Sequence, residues 1–221
     1  MQKTTLFISA ICLMLGACNT EKSGTESSAS KTDTAATPAM PMDADHIPQR
    51  DLKFNDYAEA VNAGKIPKDT LKTSARREAT GSVGTLNVKI NYGSPGVRGR
   101  AIWNGLVGYD QVWVTGAHTS TKVEFDKDVV IGDKTIAAGA YGFFTIPAES
   151  EWTLILNKNY DQHLADDYKE AEDFVRIKVK PATNAMTQRL TYAVERKSDT
   201  EGRIAVKWDK IKVVMPFTVN K

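Results

Sequence analysis

From Leu86 onward the chain alternates. In TLNVKINY, Leu86, Val88, Ile90 and Tyr92 fall on one side of an extended backbone, and Asn87, Lys89 and Asn91 fall on the other. A period of two is the repeat of a strand with one dry face and one wet face; a helix would repeat its apolar positions every ~3.6 residues. The same pattern returns in Val175, Ile177 and Val179 against Arg176, Lys178 and Lys180, and in Ile204, Val206 and Trp208 against Arg203, Ala205 and Lys207. KVEF, DVVI, KTIA, AYGFFTI, EWTLILN, RLTYAVE and IKVVMPF are further short runs of the same character. Half-wet strands belong to antiparallel sheets. About ten of them, separated by turn residues and without a fixed long repeat, predict an all-β, antiparallel β-sandwich over residues 81–221. In VVIGDKTI, Gly132 and Asp133 stand between two apolar runs, which predicts a two-residue hairpin turn with glycine first.

Ahead of the strands, FNDYAEAVNAGKIP predicts one short N-terminal helix with Asp56 as cap, Glu59 three residues on, Gly64 as stop and Pro67 beyond, so residues 51–80 read as helix and lead-in. A second helical patch is expected near Ala165–Glu172. Residues 19–37 carry no aromatic or branched apolar side chain and cannot bury enough surface to fold. With the proline-containing PAMPMDADHIPQ they extend to a tether over residues 18–50.

The N-terminus reads as a targeting segment: Lys3, an apolar run from Leu6 to Leu15, then Gly16 and Ala17 before Cys18. The run is too short to span a bilayer. LGAC at 15–18 resembles the lipobox of bacterial lipoproteins, which implies a signal peptide over residues 1–17, lipidation of Cys18 and attachment to a membrane. Cys12 would leave with the signal, so the mature chain would have no disulfide and no thiol chemistry. The expected location is the bacterial cell envelope, with the domain in the periplasm or at the cell surface. The 29 Lys and Arg against 27 Asp and Glu leave no basic excess for a nucleic-acid surface.

The chain has no GxSxG, HExxH, GxxxxGK[ST] or dinucleotide-binding glycine pattern. YGSPGVRGR is glycine-rich but lacks the Lys-Ser/Thr pair of a phosphate loop; its Arg98 and Arg100 offer guanidinium forks for a carboxylate or phosphate. Arg100 could instead close an ion pair with Asp110. In AIWNGLVGYDQVWVTGAHTST, Trp103, Tyr109 and Trp113 precede Thr115, His118 and further hydroxyls, the mixture of aromatic faces and fixed polar groups that a sugar or small organic ligand uses. Against this, Trp113 could be core and Gly116 and Ala117 a plain turn. The histidines, at 46, 118 and 163, give MDADH and DQH as weak metal candidates, with Met40 and Met42 beside the first; neither has a fixed ligand spacing, and no metal or cofactor is expected.

YGSPGVRGR, WNGLVGYDQVWVTGA, AGAYGFFTIP and EWTLILNK, in that order across roughly 76–217, resemble the domain of unknown function 2911 family. The resemblance implies an exported or lipid-anchored bacterial protein and no established activity. It places Arg100, Trp113, Thr115, Gly116, Tyr141, Thr145 and Trp152 in the family pattern, with Val114 standing where relatives more usually have Arg and His118 where they more usually have Asn. Taken together, these readings favour a ligand-binding protein over an enzyme, with Arg100, Trp103, Trp113, Thr115, His118 and Tyr141 as ligand contacts. Two alternatives stand beside it: an envelope hydrolase with His118 as general base and an acid such as Asp110, or an assembly partner that uses an exposed sheet edge.

Overall fold

A computed structural model describes residues 53–219. The expected signal peptide, the expected lipidation at Cys18, the expected tether, and the metal candidates at Met40, Met42 and His46 lie outside the described residues. The described residues form an antiparallel β-sandwich of ten strands preceded by one short helix. The helix α1 (Phe54–Asn62) is followed by β1 (Arg76–Val83), β2 (Leu86–Gly93), β3 (Thr121–Phe125), β4 (Val129–Ile131), β5 (Lys134–Ile136), β6 (Gly139–Ile146), β7 (Trp152–Asn157), β8 (Asp173–Val179), β9 (Ala182–Arg196) and β10 (Glu201–Val219). One sheet has the order β1-β2-β3-β6-β7-β8, the other β5-β4-β10-β9.

The alternation of β2 is realised residue for residue: Leu86, Val88, Ile90 and Tyr92 are buried, Asn87 and Lys89 exposed. Their dry face meets the inner face of the second sheet, where Leu190, Tyr192, Ile204, Val206, Met215 and Phe217 complete the core. The β4–β5 hairpin turns at Gly132, whose φ of 63° is left-handed, while Asp133 is not among the left-handed residues. That is the glycine-first turn expected from GD.

The structure departs from the sequence expectation in four places. RREATGSV forms β1, so the first strand begins at Arg76 and not at 81. Its inward positions are Arg77, Ala79, Gly81 and Val83, which hide the period-two signal. Gly81 is needed small, because a Cβ there would stand 2.6 Å from Val194 Cβ where β1 lies against β9. RIAVKW and IKVVMPF are not two strands but one, β10, which kinks at Asp209 (φ 52°) between two register shifts and continues. The missed strand and the merged pair cancel in the count. Asp56 lies within the first turn of α1 and caps nothing; the cap position is Lys53, without a side-chain bond. The patch at 165–172 is turns and a single 3-10 turn, Glu170–Glu172, with no α-helix.

Helix α1 and the lead-in after it are fastened to the sandwich by Arg189 of β9. Its side chain is 0% exposed and meets the Asp69 carboxylate, itself 2% exposed, at 2.7 Å. Its terminal Nη1 and Nη2 groups also reach the carbonyls of Leu71 (2.6 Å), Thr73 (2.8 Å) and Ser94 (3.1 Å), and the Phe54 and Tyr57 rings lie 5.2 and 5.7 Å from its carbon. Asn62 at the end of α1 accepts from Arg189 N at 2.7 Å and donates to Arg189 O at 2.9 Å.

Candidate functional site

The segment from Ser94 to Ser120 joins β2 to β3 and contains no regular element. Such a long connection between packed strands must bend often, and here it does so with residues in the left-handed region. Of the seven described non-glycine residues with positive φ, five lie in this segment: Arg98 (50°), Asn104 (54°), Asp110 (58°), Thr115 (49°) and His118 (65°). Asn, Asp and His tolerate this conformation best. A β-branched residue does not, and Thr115 persists in it because its surroundings over-determine it. Its hydroxyl donates to Thr145 Oγ1 at 2.9 Å. Its carbonyl accepts from the Tyr192 hydroxyl at 2.8 Å and the Thr121 hydroxyl at 3.1 Å. Burial pushes the Tyr192 hydroxyl well above the ordinary tyrosine value, so it stays a donor.

The same segment carries two tryptophans onto two others. Trp113 exchanges backbone hydrogen bonds with Thr145 of β6, at 2.8 and 2.9 Å, which fixes its ring at the end of the sandwich. Trp103 lies edge-on to Trp152 (4.8 Å between centroids), Trp208 (5.9 Å) and Trp113 (6.0 Å), and Trp113 stacks on Trp208 at 5.7 Å. These are all four tryptophans of the chain. Trp152 and Trp208, from the two different sheets, are 1% and 2% exposed; Trp103 and Trp113 are half-buried and form the outer part of the cluster. The Trp113 indole N–H donates to Gly116 O at 3.1 Å. The indole nitrogens of Trp103, Trp152 and Trp208 are buried and have no partner among the described residues. A buried donor left without an acceptor costs about 1–3 kcal/mol, so three in one cluster make it a place where an acceptor oxygen is favoured. Aromatic walls with inward donors can stack against an apolar ring face and hydrogen-bond its oxygens.

The residues expected in the site divide accordingly. Trp103, Trp113 and Thr115 come together, with Trp152 and Trp208 joining them. Arg100 is exposed, and its guanidinium folds back on the carbonyls of Gly96 and of Val97 (3.2 Å), not onto Asp110. Asp110 is turned towards the end of β6, its N–H donating to Pro147 O at 2.8 Å. His118 is exposed; its carbonyl accepts from Leu164 N at 2.6 Å, and its ring has no partner among the described residues. Its φ of 65° gives a physical reason for both His and Asn at this position, since both enter the left-handed region readily. Tyr141 lies on β6 four residues from Thr145, about 13 Å along the strand. There it packs on Phe125 and Phe174 and donates to Ala137 O at 2.7 Å, away from the tryptophans. In DQH at 161–163, the His163 ring meets only the Asp166 carboxylate among the described residues, at 3.1 Å, and Gln162 binds Asn159 O and Asp167 N. No metal-ligating cluster is found among the described residues.

Val114, in the place where the resemblance leads one to expect Arg, is 1% exposed and packs with Phe144 and Ile155 on the outer side of the first sheet. Sequence reasoning missed Trp208 as a site residue, reading it only as a strand position. It also missed Arg189 and Asp69 altogether, which no pattern in RLTYAVE or KIPKDTLK announces.

Residues 74–217 match the family model described as Protein of unknown function (DUF2911). No curated protein and no solved structure matches the chain.

Proposed function

This chain belongs to that DUF2911 family, and on that premise we propose that it is a lipid-anchored bacterial envelope protein whose β-sandwich binds a small or saccharide-like ligand at the tryptophan cluster. The observation that carries the binding half is the half-buried pair Trp103 and Trp113 packed with Trp152 and Trp208, in a cluster where three buried indole donors have no acceptor among the described residues. The strained connection around them supports it: left-handed residues cost about 1–2 kcal/mol each, and backbone held in such conformations concentrates at binding sites. LGAC and the polar stretch that follows support the anchor half, with Cys18 acylated and residues 18–50 holding the domain off the membrane. The reading is of a binder, in which Arg100 shapes the wall through its own turn and does not grip the ligand. A hydrolase using His118 would need an acid or orienting group at the imidazole, and the described contacts of His118 run through its backbone.

All four tryptophans share the cluster, so their emission reports directly on occupancy. The purified protein is titrated with neutral and acidic oligosaccharides and with small organic acids, following tryptophan fluorescence and calorimetry. A saturable shift, weakened at least tenfold by Trp103→Ala or Trp113→Ala and unchanged by Tyr141→Phe, is expected. If no sugar or organic acid alters the emission, or Tyr141→Phe weakens binding as much, the assignment of the site is wrong. Labelled palmitate incorporated by the wild type and lost in Cys18→Ser tests the anchor separately.

A further inference from the structure

A cleft of 740 Å³ lies between the end of α1, the lead-in, the start of β9 and the turn at Arg98 and Gly99. Its walls mix apolar Ile66, Pro67 and Met186 with charged Lys68, Asp69 and Arg98. Asp69 is the one acid among the lining residues; it is 2% exposed, and its Oδ2 has no partner among the described residues. Its Oδ1 accepts from Arg189 Nη2 at 2.7 Å, from the Tyr57 hydroxyl at 3.1 Å and from Leu71 N at 3.2 Å. Lys68 and Arg98 are exposed, and neither makes an ion pair or side-chain hydrogen bond with a described residue.

Many other surface cations of this protein are matched: Lys89 by Glu78, Lys122 by Glu124, Lys178 by Glu151, and Arg203 and Lys212 by Glu195. The lining of the cleft sets two cations, Lys68 and Arg98, against the single acid Asp69, whose Oδ1 is bound to Arg189 behind it. Arg98 is also held at φ 50°, followed by Gly99 at 72°, a costly conformation for an L-residue that fixes the turn at the cleft wall. A Cβ added at Gly99 or at Gly64 would meet no atom within 4 Å, so both backbones border open space. The volume exceeds what one carboxylate needs and suits an anion together with the organic group that bears it.

We propose that this cleft is a second binding site, separate from the tryptophan cluster, for a phosphate ester: Lys68 and Arg98 hold the phosphate, and Ile66, Pro67 and Met186 flank the group attached to it. A lysine point charge and a guanidinium fork are the pair of cations suited to phosphate oxygens. The ester can come from a lipid headgroup or from a soluble metabolite, and the chemistry of recognition is shared.

The mature protein in neutral detergent is titrated by calorimetry with inorganic phosphate, glycerol phosphate and dihexanoyl-phosphatidylglycerol, with dihexanoyl-phosphatidylcholine as the zwitterionic comparison. The Lys68→Ala/Arg98→Ala variant is expected to bind at least tenfold more weakly while melting like the wild type. Lys127→Ala/Lys210→Ala removes the same charge away from the cleft and is expected to bind normally. Tighter binding of the phosphatidylglycerol than of glycerol phosphate identifies a lipid source; equal binding identifies a soluble one. The proposal is overturned if none of the anions binds, if phosphatidylcholine binds equally, or if both double variants lose affinity alike. None of these outcomes depends on the acylation of Cys18 or on the tryptophans.

Discussion

Replacing Arg189 by methionine keeps most of the side-chain volume and removes the charge. Asp69, 2% exposed, then keeps its bonds from Tyr57 and Leu71 but faces no cation. The carbonyls of Leu71, Thr73 and Ser94 each lose a donor at 2.6–3.1 Å. Breaking a buried pair by removing one partner costs about 3–5 kcal/mol, and each orphaned carbonyl adds about 1 kcal/mol. A loss of about 5 kcal/mol or more is expected, comparable to the whole stability of many domains, roughly 5–15 kcal/mol. In urea, with a slope of about 2 kcal/mol/M, the midpoint falls by about 2.5 M. Arg189 Nε and Asp69 Oδ2 have no partner among the described residues even in the intact pair, so the pair is imperfectly satisfied and removing both charges should be cheaper than removing one. Asp69→Leu/Arg189→Met is therefore expected to be more stable than Arg189→Met alone, with a coupling of about 2 kcal/mol. A midpoint shift under about 0.5 M for Arg189→Met, or a double variant equal to the sum of the singles, would refute the reasoning.

Thr115→Gly should be more stable than Thr115→Ala by about 1 kcal/mol in thermal melts, because both lose the bond to Thr145 but only glycine relieves the left-handed strain at φ 49°. Equal losses would mean that the hydroxyl accounts for the whole effect. Val114→Arg, which installs the residue the resemblance leads one to expect, should cost about 3 kcal/mol or more by burying a guanidinium against Phe144 and Ile155; an unchanged melting temperature would show that the side chain escapes to solvent. Burial alone would raise the Glu195 carboxyl, but hydrogen bonds from Lys212 (2.9 Å) and Arg203 (2.6 Å) outweigh it and hold it below the ordinary glutamate value. A carboxyl depressed in the folded state adds stability above its unfolded value of about 4.3, and that stability is lost as pH falls through the folded value. The urea midpoint gap between wild type and Glu195→Gln should thus be full at pH 7 and shrink below about pH 4; a gap independent of pH would contradict the shift.

Strands were legible wherever an inward row was apolar, as in Leu86 to Tyr92, because burial then writes itself into the sequence with period two. β1 was not, since its inward row begins with Arg77, whose guanidinium is satisfied by Asn55 and Thr191 from elsewhere in the chain. The break expected between Trp208 and Ile211 failed for a related reason: Asp209 can take a left-handed conformation inside a bulge, so a turn-like residue need not end a strand. Half of the site was visible in the close spacing of Trp103 and Trp113. Trp152 was visible only through the family pattern, and Trp208 comes from the opposite sheet, a proximity no local pattern encodes. Tyr141 has the right chemistry and the wrong end of its strand. Arg189 illustrates the limit most sharply, since a cation on an inward row is read as an error in the alternation until its partner more than a hundred residues away is known.

Among the described residues β10 is the strand that joins both halves of the smaller sheet. Gly202 to Lys212 pair with β9, and Thr218 and Val219 pair with β4. Without its final residues β4 and β5 have no neighbour in that sheet, and Met215 and Phe217 are missing from the core. Removing Met215 to Val219 would therefore take away both that junction and part of the core. Joining β4 to a strand some ninety residues later also makes for slow, non-local closure, in the range of milliseconds to seconds rather than microseconds. The smaller sheet is thus held together by its most distant pairing, while the β4–β5 and β9–β10 pairings on either side of it are local hairpins.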